Sequence, residues 1–157
     1  MTSETRSKIS TWLESVGAEA GTQLTLDQDG HCLILFGAQL ECMVEVPDES
    51  EIFFAYIALK RAPDDLAGRS DLFERALELN LFSLATGGSS VAFDRRTQEV
   101  VLTFSAEVAT MEDALFKVVL SDLLELGMDL HEKLNEASPF AWSPEYEERS
   151  ATFILKA

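Results

Sequence analysis

The chain has 157 residues, of which 46% are hydrophobic and 25% charged, and this composition predicts one folded domain with a real core. Asp and Glu number 28 against 12 Lys and Arg, so the formal net charge is -16 and the sequence pI is about 4.3. The negative electrostatic potential of such a chain repels phosphate backbones and anionic lipid headgroups, which excludes nucleic acids and membranes as expected partners. It favours a neutral or basic protein partner instead.

The N-terminal segment predicts a helix from about Ser3 to Val16 that ends at Gly17. Its apolar positions recur with the spacing of one helix face: Ile9, Trp12, Leu13 and Val16. The first 20 residues are polar and lack the apolar core of a secretory leader, and no stretch is long enough to cross a bilayer. The sequence therefore predicts a cytosolic protein.

Four short segments then predict an antiparallel meander. They are residues 22–26, 31–36, a strand from Gly37-Ala38 through Val46, and 52–60. The turn sequences Asp27-Gln28-Asp29-Gly30 and Pro47-Asp48-Glu49-Ser50 separate them. Since antiparallel neighbours need only short turns, these strands are expected to pair in order.

The second half predicts a helix, a hairpin and a last helix. A polar connection, 62–69, leads to a helix from about Ser70 to the glycine pair Gly87-Gly88. The strands SSVAFD and EVVLTFS follow, joined through Arg95-Arg96-Thr97. A Thr-x-x-Asp box at 110–113 then starts a helix that reaches Glu136. Its inward row is expected to be Phe116, Val119, Leu123, Leu126, Leu130 and Leu134.

Residues 137–157 change character, because Pro139, Trp142 and Pro144 interrupt regular structure. The expected organisation is therefore one domain over 1–136 and a C-terminal tail over 137–157. The tail has three open roles: folding onto its own sheet, covering a partner, or staying disordered.

The chain carries more apolar surface than one subunit is expected to hide. The helix after Ser70 has one stripe made by Leu72, Phe73, Ala76 and Leu77, and further apolar residues that point elsewhere: Leu79, Leu81, Phe82 and Leu84. The strand segments 32–36, 52–59 and 100–102 are apolar on successive residues, so both sheet faces are expected to be covered. We therefore expect another chain to cover part of this surface.

The helix after Ser70, the double glycine, the S-x-A-F-D strand ending and the hairpin after it resemble class I type III secretion chaperones, the Tir-chaperone family of small acidic homodimers. The resemblance implies an α+β fold in the order α-β-β-β-α-β-β-α, with a twisted antiparallel sheet of five to six strands and three helices. It also implies a non-enzymatic chaperone in the bacterial cytoplasm, without a cofactor. Such a chaperone binds an extended N-terminal segment of one or more secreted effectors and keeps it soluble for export.

The resemblance also implies which residues meet each partner. The homodimer contact carries over to the helix after Ser70 and the next strand, at Leu81, Phe82, Leu84, Val91 and Phe93. The effector-binding grooves carry over to Ile9, Trp12, Leu13, Leu33, Leu35, Met43 and Phe54. The secretion ATPase is a further partner that the family suggests.

Two alternatives stay open from the residues alone. All of these apolar residues fit ordinary core positions, and Trp12 in particular fits either an interface or packing on the sheet. The surplus apolar surface also fits a carrier that encloses a small hydrophobic ligand in an α+β cavity.

No motif predicts catalysis or metal binding. His31 and His131 lack an accompanying nucleophile, and each is expected to be structural or solvated. The segment Asp27-x-Asp29-Gly30 begins like a calcium loop but lacks the remaining ligands, so a hairpin turn is expected instead. Gly87-Gly88-Ser89-Ser90 lacks the lysine of a phosphate loop and is interpreted as a helix cap.

Cys32 and Cys42 are too few for a disulfide scaffold. A turn centred on Gly37 would place them opposite one another, and a reduced, buried pair is expected.

Overall fold

The computed structural model describes residues 4–37, 39–81 and 87–136, which form a five-stranded antiparallel sheet and three α-helices. The elements in chain order are α1 (Glu4–Ala20), β1 (His31–Phe36), β2 (Leu40–Glu45), β3 (Ile52–Arg61), α2 (Leu66–Leu79), β4 (Ser90–Asp94), β5 (Glu99–Glu107) and α3 (Asp113–Asn135). Across the sheet the order is β1-β2-β3-β5-β4. The predicted α+β fold and its element order are confirmed.

One face of the sheet, the inner face, carries the core. Alternate strand residues point to this face and are almost fully buried, including Cys42, Val44, Phe53, Ala55, Ile57 and Leu102. All three helices contribute to the same cluster, with Ile9 from α1, Leu72 from α2 and Phe116 from α3. The Phe116 ring lies 5.5 Å from that of Phe53 and so joins α3 to the centre of the sheet.

The first helix runs past its predicted end. Gly17 lies inside α1 and is buried, and the helix ends at Ala20 because Gly21 takes a φ of 71°. The amide of Thr22 donates to the Gly17 carbonyl (2.8 Å) and the amide of Gly21 donates to that of Ala18 (3.4 Å), which is the Schellman pattern. The prediction that Gly17 ends the helix is therefore wrong, since Gly21 does so.

Gly17 instead permits a close approach of two chain segments, and this gives a testable prediction. A Cβ at position 17 would lie 2.7 Å from the Thr22 carbonyl oxygen and 2.9 Å from the Leu24 amide nitrogen. Both contacts are backbone, so we expect Gly17→Ala to lower the free energy of unfolding by about 1 to 3 kcal/mol, despite the better helix propensity of alanine.

The check is urea denaturation of Gly17→Ala beside Gly21→Ala. A Cβ at Gly21 has no atom within 4 Å, so that variant bears only the strain of its positive φ, about 1 kcal/mol. A Gly17→Ala protein at least as stable as the original would contradict the close approach.

Residues 22–26, predicted as a strand, join no sheet. Leu24 is buried in the core and Leu26 packs against it, so the alternation reflects burial of an extended segment rather than strand pairing. Apolar and polar residues alternate in any extended segment that lies on a core, whether or not it pairs with a strand, so periodicity alone predicted one strand too many here.

The second helix begins and ends earlier than predicted. Asp65 is its N-cap, with a carboxylate oxygen that accepts from the amide of Gly68 (2.7 Å), and Asn80 is its C-cap. The predicted stop, Gly87-Gly88, forms a turn before β4, with positive φ at both glycines. The start was predicted too late, at Ser70, because Gly68 has a low helix propensity and the first turn of α2 was therefore not recognised as helical.

The last helix has a different start from the one predicted. Thr110 lies in a short 3-10 turn, Val108–Thr110, and its hydroxyl donates to the Glu107 carbonyl (2.8 Å), while the N-cap residue is Glu112. The predicted Thr-x-x-Asp box is therefore wrong. The C-terminal end agrees with the sequence, since Glu136 is the C-cap. The predicted tail, 137–157, lies outside the described residues.

Candidate functional site

The opposite side of the sheet, the outer face, is not covered by any helix among the described residues. Cross-strand pairing aligns the outward side chains in rows: Leu33, Met43, Tyr56 and Thr103 lie side by side on β1, β2, β3 and β5. A second row contains Ala58, Val101 and Ala92, with Leu35 opposite Glu41 on the first two strands. Much of this face is therefore apolar.

Several of these apolar side chains are open to solvent. Leu35 is 72% exposed, Leu33 46% and Phe54 36%. Beside them lies a shallow cleft of about 430 Å³, whose lining includes Leu33, Met43, Tyr56, Ala58, Ala92 and Val101. An apolar strip of this kind on a solvent-facing sheet is typical of a surface that binds another polypeptide.

Charged groups surround the cleft, and most are acidic. Its lining includes Glu41, Glu45, Asp94 and Glu99 against a single arginine, Arg96. The Arg96 amide donates to Asp94 (2.8 Å) and its guanidinium lies 3.6 Å from the same carboxylate, so the pKa of Asp94 is lowered, chiefly by the backbone hydrogen bond. Partial burial raises the pKa of the Tyr56 phenol, and the charge of Glu45 adds to this. The cleft is thus apolar at its floor and negative at its rim.

The two edges of the sheet differ. On β4, the side chain of Asn80 donates to the Val91 carbonyl (2.8 Å) and accepts from the Val91 amide (2.7 Å), which covers this edge at that residue. On β1, the backbone carbonyl of His31 accepts a hydrogen bond from the Asp27 amide, so it points away from β2. Every second residue of an antiparallel strand directs its backbone groups to the same side, and Leu33 and Leu35 therefore also point theirs away from β2. Within the described residues nothing pairs with that part of β1, which suits the addition of an extended segment.

The structure divides the predicted client-binding residues between the two faces of the sheet. Leu33, Leu35, Met43 and Phe54 are on the outer face. Ile9 and Leu13 are fully buried in the core at 0% exposure, beneath the inner face. Trp12 is half-buried, with its ring 5.4 Å from that of Phe116. One groove of a single subunit therefore does not contain all seven residues, because α1 lies on the far side of the sheet.

The predicted dimer residues are also in different environments. Leu81 is 54% exposed just beyond α2, and Leu77, one turn earlier, is 69% exposed. Val91 is buried in the core, and the Phe93 ring packs at 4.7 Å on that of Phe73. Phe82 and Leu84 lie outside the described residues. Among the described members of the predicted set, Leu81 is therefore the one that is open to a second chain, and Leu77, which was not predicted, is exposed beside it.

Arg6 is a structural residue that the sequence prediction missed. It is only 8% exposed, its Nε and an Nη donate at 2.8 Å to the carbonyls of Val46 and Asp29, and its guanidinium lies 2.7 Å from the Asp48 carboxylate. It therefore ties α1 to two loops of the sheet. The sequence does indicate its burial, because Arg6 is three residues before Ile9 and therefore lies on the apolar face of the helix.

The cysteines and His131 have structural roles. Cys32 is opposite Val44 and Cys42 is opposite Ile34, so the two buried cysteines are diagonal neighbours rather than a directly opposite pair. Both are free, and burial raises the pKa of the Cys42 thiol to about 12. His131 Nδ1 donates to the Leu59 carbonyl at 2.6 Å and so joins α3 to β3.

The turn before β1 is the one described place where three potential metal ligands meet: Asp27, Asp29 and His31 offer atoms within 4.8 Å of one another. One Asp27 carboxylate oxygen already accepts from the amides of Asp29 and His31, both at 2.9 Å. These bonds hold the predicted turn together and lower the pKa of Asp27, so the cluster serves the hairpin.

A comparison with protein-family models identifies the family of this chain. The model of the Tir chaperone protein (CesT) family matches residues 11–130, which is most of the chain. No curated protein matches the sequence. Among the described residues, no helix has the length and apolar content needed to cross a membrane.

Several solved structures share this fold, among them one described as a chaperone–effector complex and one described as a heterodimeric complex from a type III secretion system. The ExsC–ExsE complex aligns with a TM-score of 0.69 and 20% identity over 85% of this chain and 98% of that chain. The HopA1–SchA chaperone–effector complex gives 0.62 and 16% identity over 84% and 99%. The heterodimeric ExoU–SpcU complex from the type III secretion system of Pseudomonas aeruginosa gives 0.56 and 19% identity over 80% and 93%. At these identities the likeness shows the fold.

Proposed function

The chain belongs to the Tir chaperone protein (CesT) family, and we propose that it is a homodimeric chaperone that binds an extended N-terminal segment of a type III secretion effector. The observation that carries the proposal is the outer sheet face, where Leu33, Leu35 and Phe54 are exposed beside an apolar cleft. Two structural neighbours support it, since they are described as a chaperone–effector complex and as a heterodimer from a type III secretion system.

The mechanism is masking. Apolar side chains of the client lie on the outer face, and each one that loses contact with water contributes about 1.5 to 3 kcal/mol. The open edge of β1 at Leu33 and Leu35 can pair with an adjoining stretch of the same client through backbone hydrogen bonds. The net charge of -16 keeps the complex in solution, because acidic particles repel one another. No bond in the client is made or broken.

The proposed location is the bacterial cytoplasm, where the effector is held before export. The secretion ATPase stays a predicted partner from the family resemblance, and no described feature bears on it. The carrier of a small hydrophobic ligand gains no support, since Phe53, Ile57 and Phe116 fill the space between sheet and helices where its cavity would lie.

Capture with mass spectrometry tests the function. The tagged full chain, purified from its bacterial host, is expected to retain an effector whose N-terminal segment resists proteolysis while the rest is cleaved. Native mass spectrometry is expected to find two copies of the chain with each client. Protection of a folded central domain, with the client's N-terminal segment cleaved, would contradict the proposal.

The proposed dimer contact involves Leu77 near the end of α2 and Leu81 just beyond it, and this gives a second prediction. Leu77 and Leu81 are 69% and 54% exposed on one side of the subunit, so a partner helix that covers them contributes about 1.5 to 3 kcal/mol for each. We expect Leu81→Asp to sediment near the 17.4 kDa of one chain, and the unaltered protein at twice that mass.

Leu115→Asp is the matched control, because Leu115 is 47% exposed on α3 and lies away from α2. This control is expected to remain a dimer. A dimeric Leu81→Asp protein would place the two-fold contact elsewhere, and Phe82, Leu84, Val91 and Phe93 would then be tested one at a time.

A further inference from the structure

The rim of the cleft on the outer face contains more carboxylates than the cations of its lining can neutralise. Within the described ranges, neither Glu41 nor Glu99 has a Lys or Arg partner, and Glu45 has only the His31 ring at 3.8 Å. The one cation in the lining, Arg96, already pairs with Asp94. A bound segment that brings its own cations would meet unpaired carboxylates beside an apolar floor.

The spacing of these groups gives the pattern that such a segment needs. Glu41, Met43 and Glu45 are alternate residues on the outer side of β2, so their side chains follow one another at intervals of about 6.8 Å. An extended segment on this face presents every second residue at the same interval, and in aligned face-to-face packing the strands lie within about 30° of one another. An apolar residue over Met43 therefore places the residues two before and two after it over Glu41 and Glu45.

We propose that the client segment on the outer face is an extended cationic one, with the pattern basic-x-apolar-x-basic, whose apolar residue contacts Met43 and whose Lys or Arg residues pair with Glu41 and Glu45. This inference rests on the proposed function, since it takes the outer face as the client surface. It adds two recognition residues, and it identifies the client by chemistry rather than by apolar content alone.

A second copy of this chain is a poor occupant of the same face. Each subunit has a net charge of -16, so two outer faces would bring Glu41, Glu45 and Glu99 of one against those of the other. Like charges across an interface are destabilising, whereas charge-assisted pairs with a basic peptide stabilise and also accelerate encounter. The acidic rim therefore favours a basic partner over self-association at this site.

The test uses the full chain and a fluorescent probe peptide, Lys-Thr-Leu-Thr repeated three times, with anisotropy measured near physiological ionic strength. Because two exposed ion pairs are removed, the double variant Glu41→Gln with Glu45→Gln is expected to weaken binding about five- to tenfold. The control, Glu14→Gln with Glu78→Gln, makes the same charge change on exposed helix positions and is expected to change binding less than about twofold. A peptide of the same composition in shuffled order is expected to bind more weakly.

Three outcomes would overturn the proposal in distinguishable ways. Equal weakening by both double variants would mean that only the overall field attracts the peptide. Loss of binding in Leu33→Ser with no effect of Glu41→Gln and Glu45→Gln would keep the outer face as the client surface and reject the charge pattern. Insensitivity to Leu33→Ser as well would reject the client surface itself.

Two further readouts identify another occupant. If Glu41→Gln with Glu45→Gln changes the sedimentation mass, a second copy occupies the face. If Phe153→Asp tightens peptide binding more than about tenfold, this chain's own C-terminal segment competes for it. Either result overturns the assignment of the face to a client.

Discussion

Replacement of Leu35 by Asp is expected to abolish client binding while the subunit stays folded. Leu35 is 72% exposed at the β1 edge of the outer face, so the substitution removes little packing in the free protein. In the proposed complex the same position is covered, so the change is expected to lose about 1.5 to 3 kcal/mol of apolar burial and also to bury a carboxylate. We expect affinity for the client to fall at least about a hundredfold, measured by titration of the captured effector segment.

Leu66→Asp is the matched control, since Leu66 is 84% exposed at the start of α2, where an acidic residue is well tolerated. This variant is expected to bind the client normally. Undiminished binding by Leu35→Asp, with its fold checked by circular dichroism, would remove Leu35 from the client surface.

Trp12→Asp would not give so clear an answer. The Trp12 ring packs against Phe116, so a carboxylate there is expected to cost about 3 kcal/mol or more of stability. A loss of client binding in that variant would follow from damage to the core as readily as from a lost contact. The role of Trp12 in client binding remains a prediction.

The largest expected loss of stability comes from Arg6. Arg6→Ala leaves the carbonyls of Val46 and Asp29 without their donor in a site where water has little access, and it also removes the partner of Asp48. Each buried hydrogen bond from a charged group is worth about 1.5 to 3 kcal/mol, so we expect the free energy of unfolding to fall by about 3 to 5 kcal/mol. For a domain with total stability of about 5 to 15 kcal/mol this is a large fraction.

Urea denaturation is the measurement, with Lys8→Ala as control. Lys8 is on the same helix and half-exposed, and its pair with Glu4 at 3.4 Å is a surface pair worth less than about 1 kcal/mol. Arg6→Met retains the apolar stem, so its difference from Arg6→Ala separates packing from hydrogen bonding. A loss below about 1 kcal/mol in Arg6→Ala would mean that water replaces the guanidinium.

The elements that the sequence predicted well are those whose apolar pattern has a single explanation. Ile52 to Lys60 and the hairpin through Arg95-Arg96-Thr97 have long apolar segments bounded by turn residues, and both are found as predicted. The helix boundaries are different, because a cap depends on a hydrogen bond to a particular neighbour. Asp65, Gly21 and Glu112 occupy cap positions for which the sequence offered equally good competitors in Ser70, Gly17 and Thr110.

The candidate site was predicted in part, for the same reason. The apolar surplus of β1 and β3 is visible as consecutive hydrophobic residues, and the family resemblance pointed to Leu33, Leu35, Met43 and Phe54, which the structure places on the outer face. Spacing in one helix does not tell which side of the sheet that helix covers, so Ile9 and Leu13 joined the same predicted groove. The acidic rim was also hidden, since Glu41, Glu99 and Asp94 become neighbours only when β2, β5 and β4 are in one sheet.

The resemblance to the family supplied the α+β fold and the order of its elements, while the sequence by itself determined the three helices, the hairpin, the acidity and an apolar surface too large for one face. These follow from local periodicity and composition, which act over a few residues. The tertiary structure alone decided that the helices share the inner face, that Arg6 is buried, and that the outer face combines an apolar floor with carboxylates that no Lys or Arg of the described residues neutralises. The physical reason is that burial and charge pairing depend on residues brought together from distant parts of the chain.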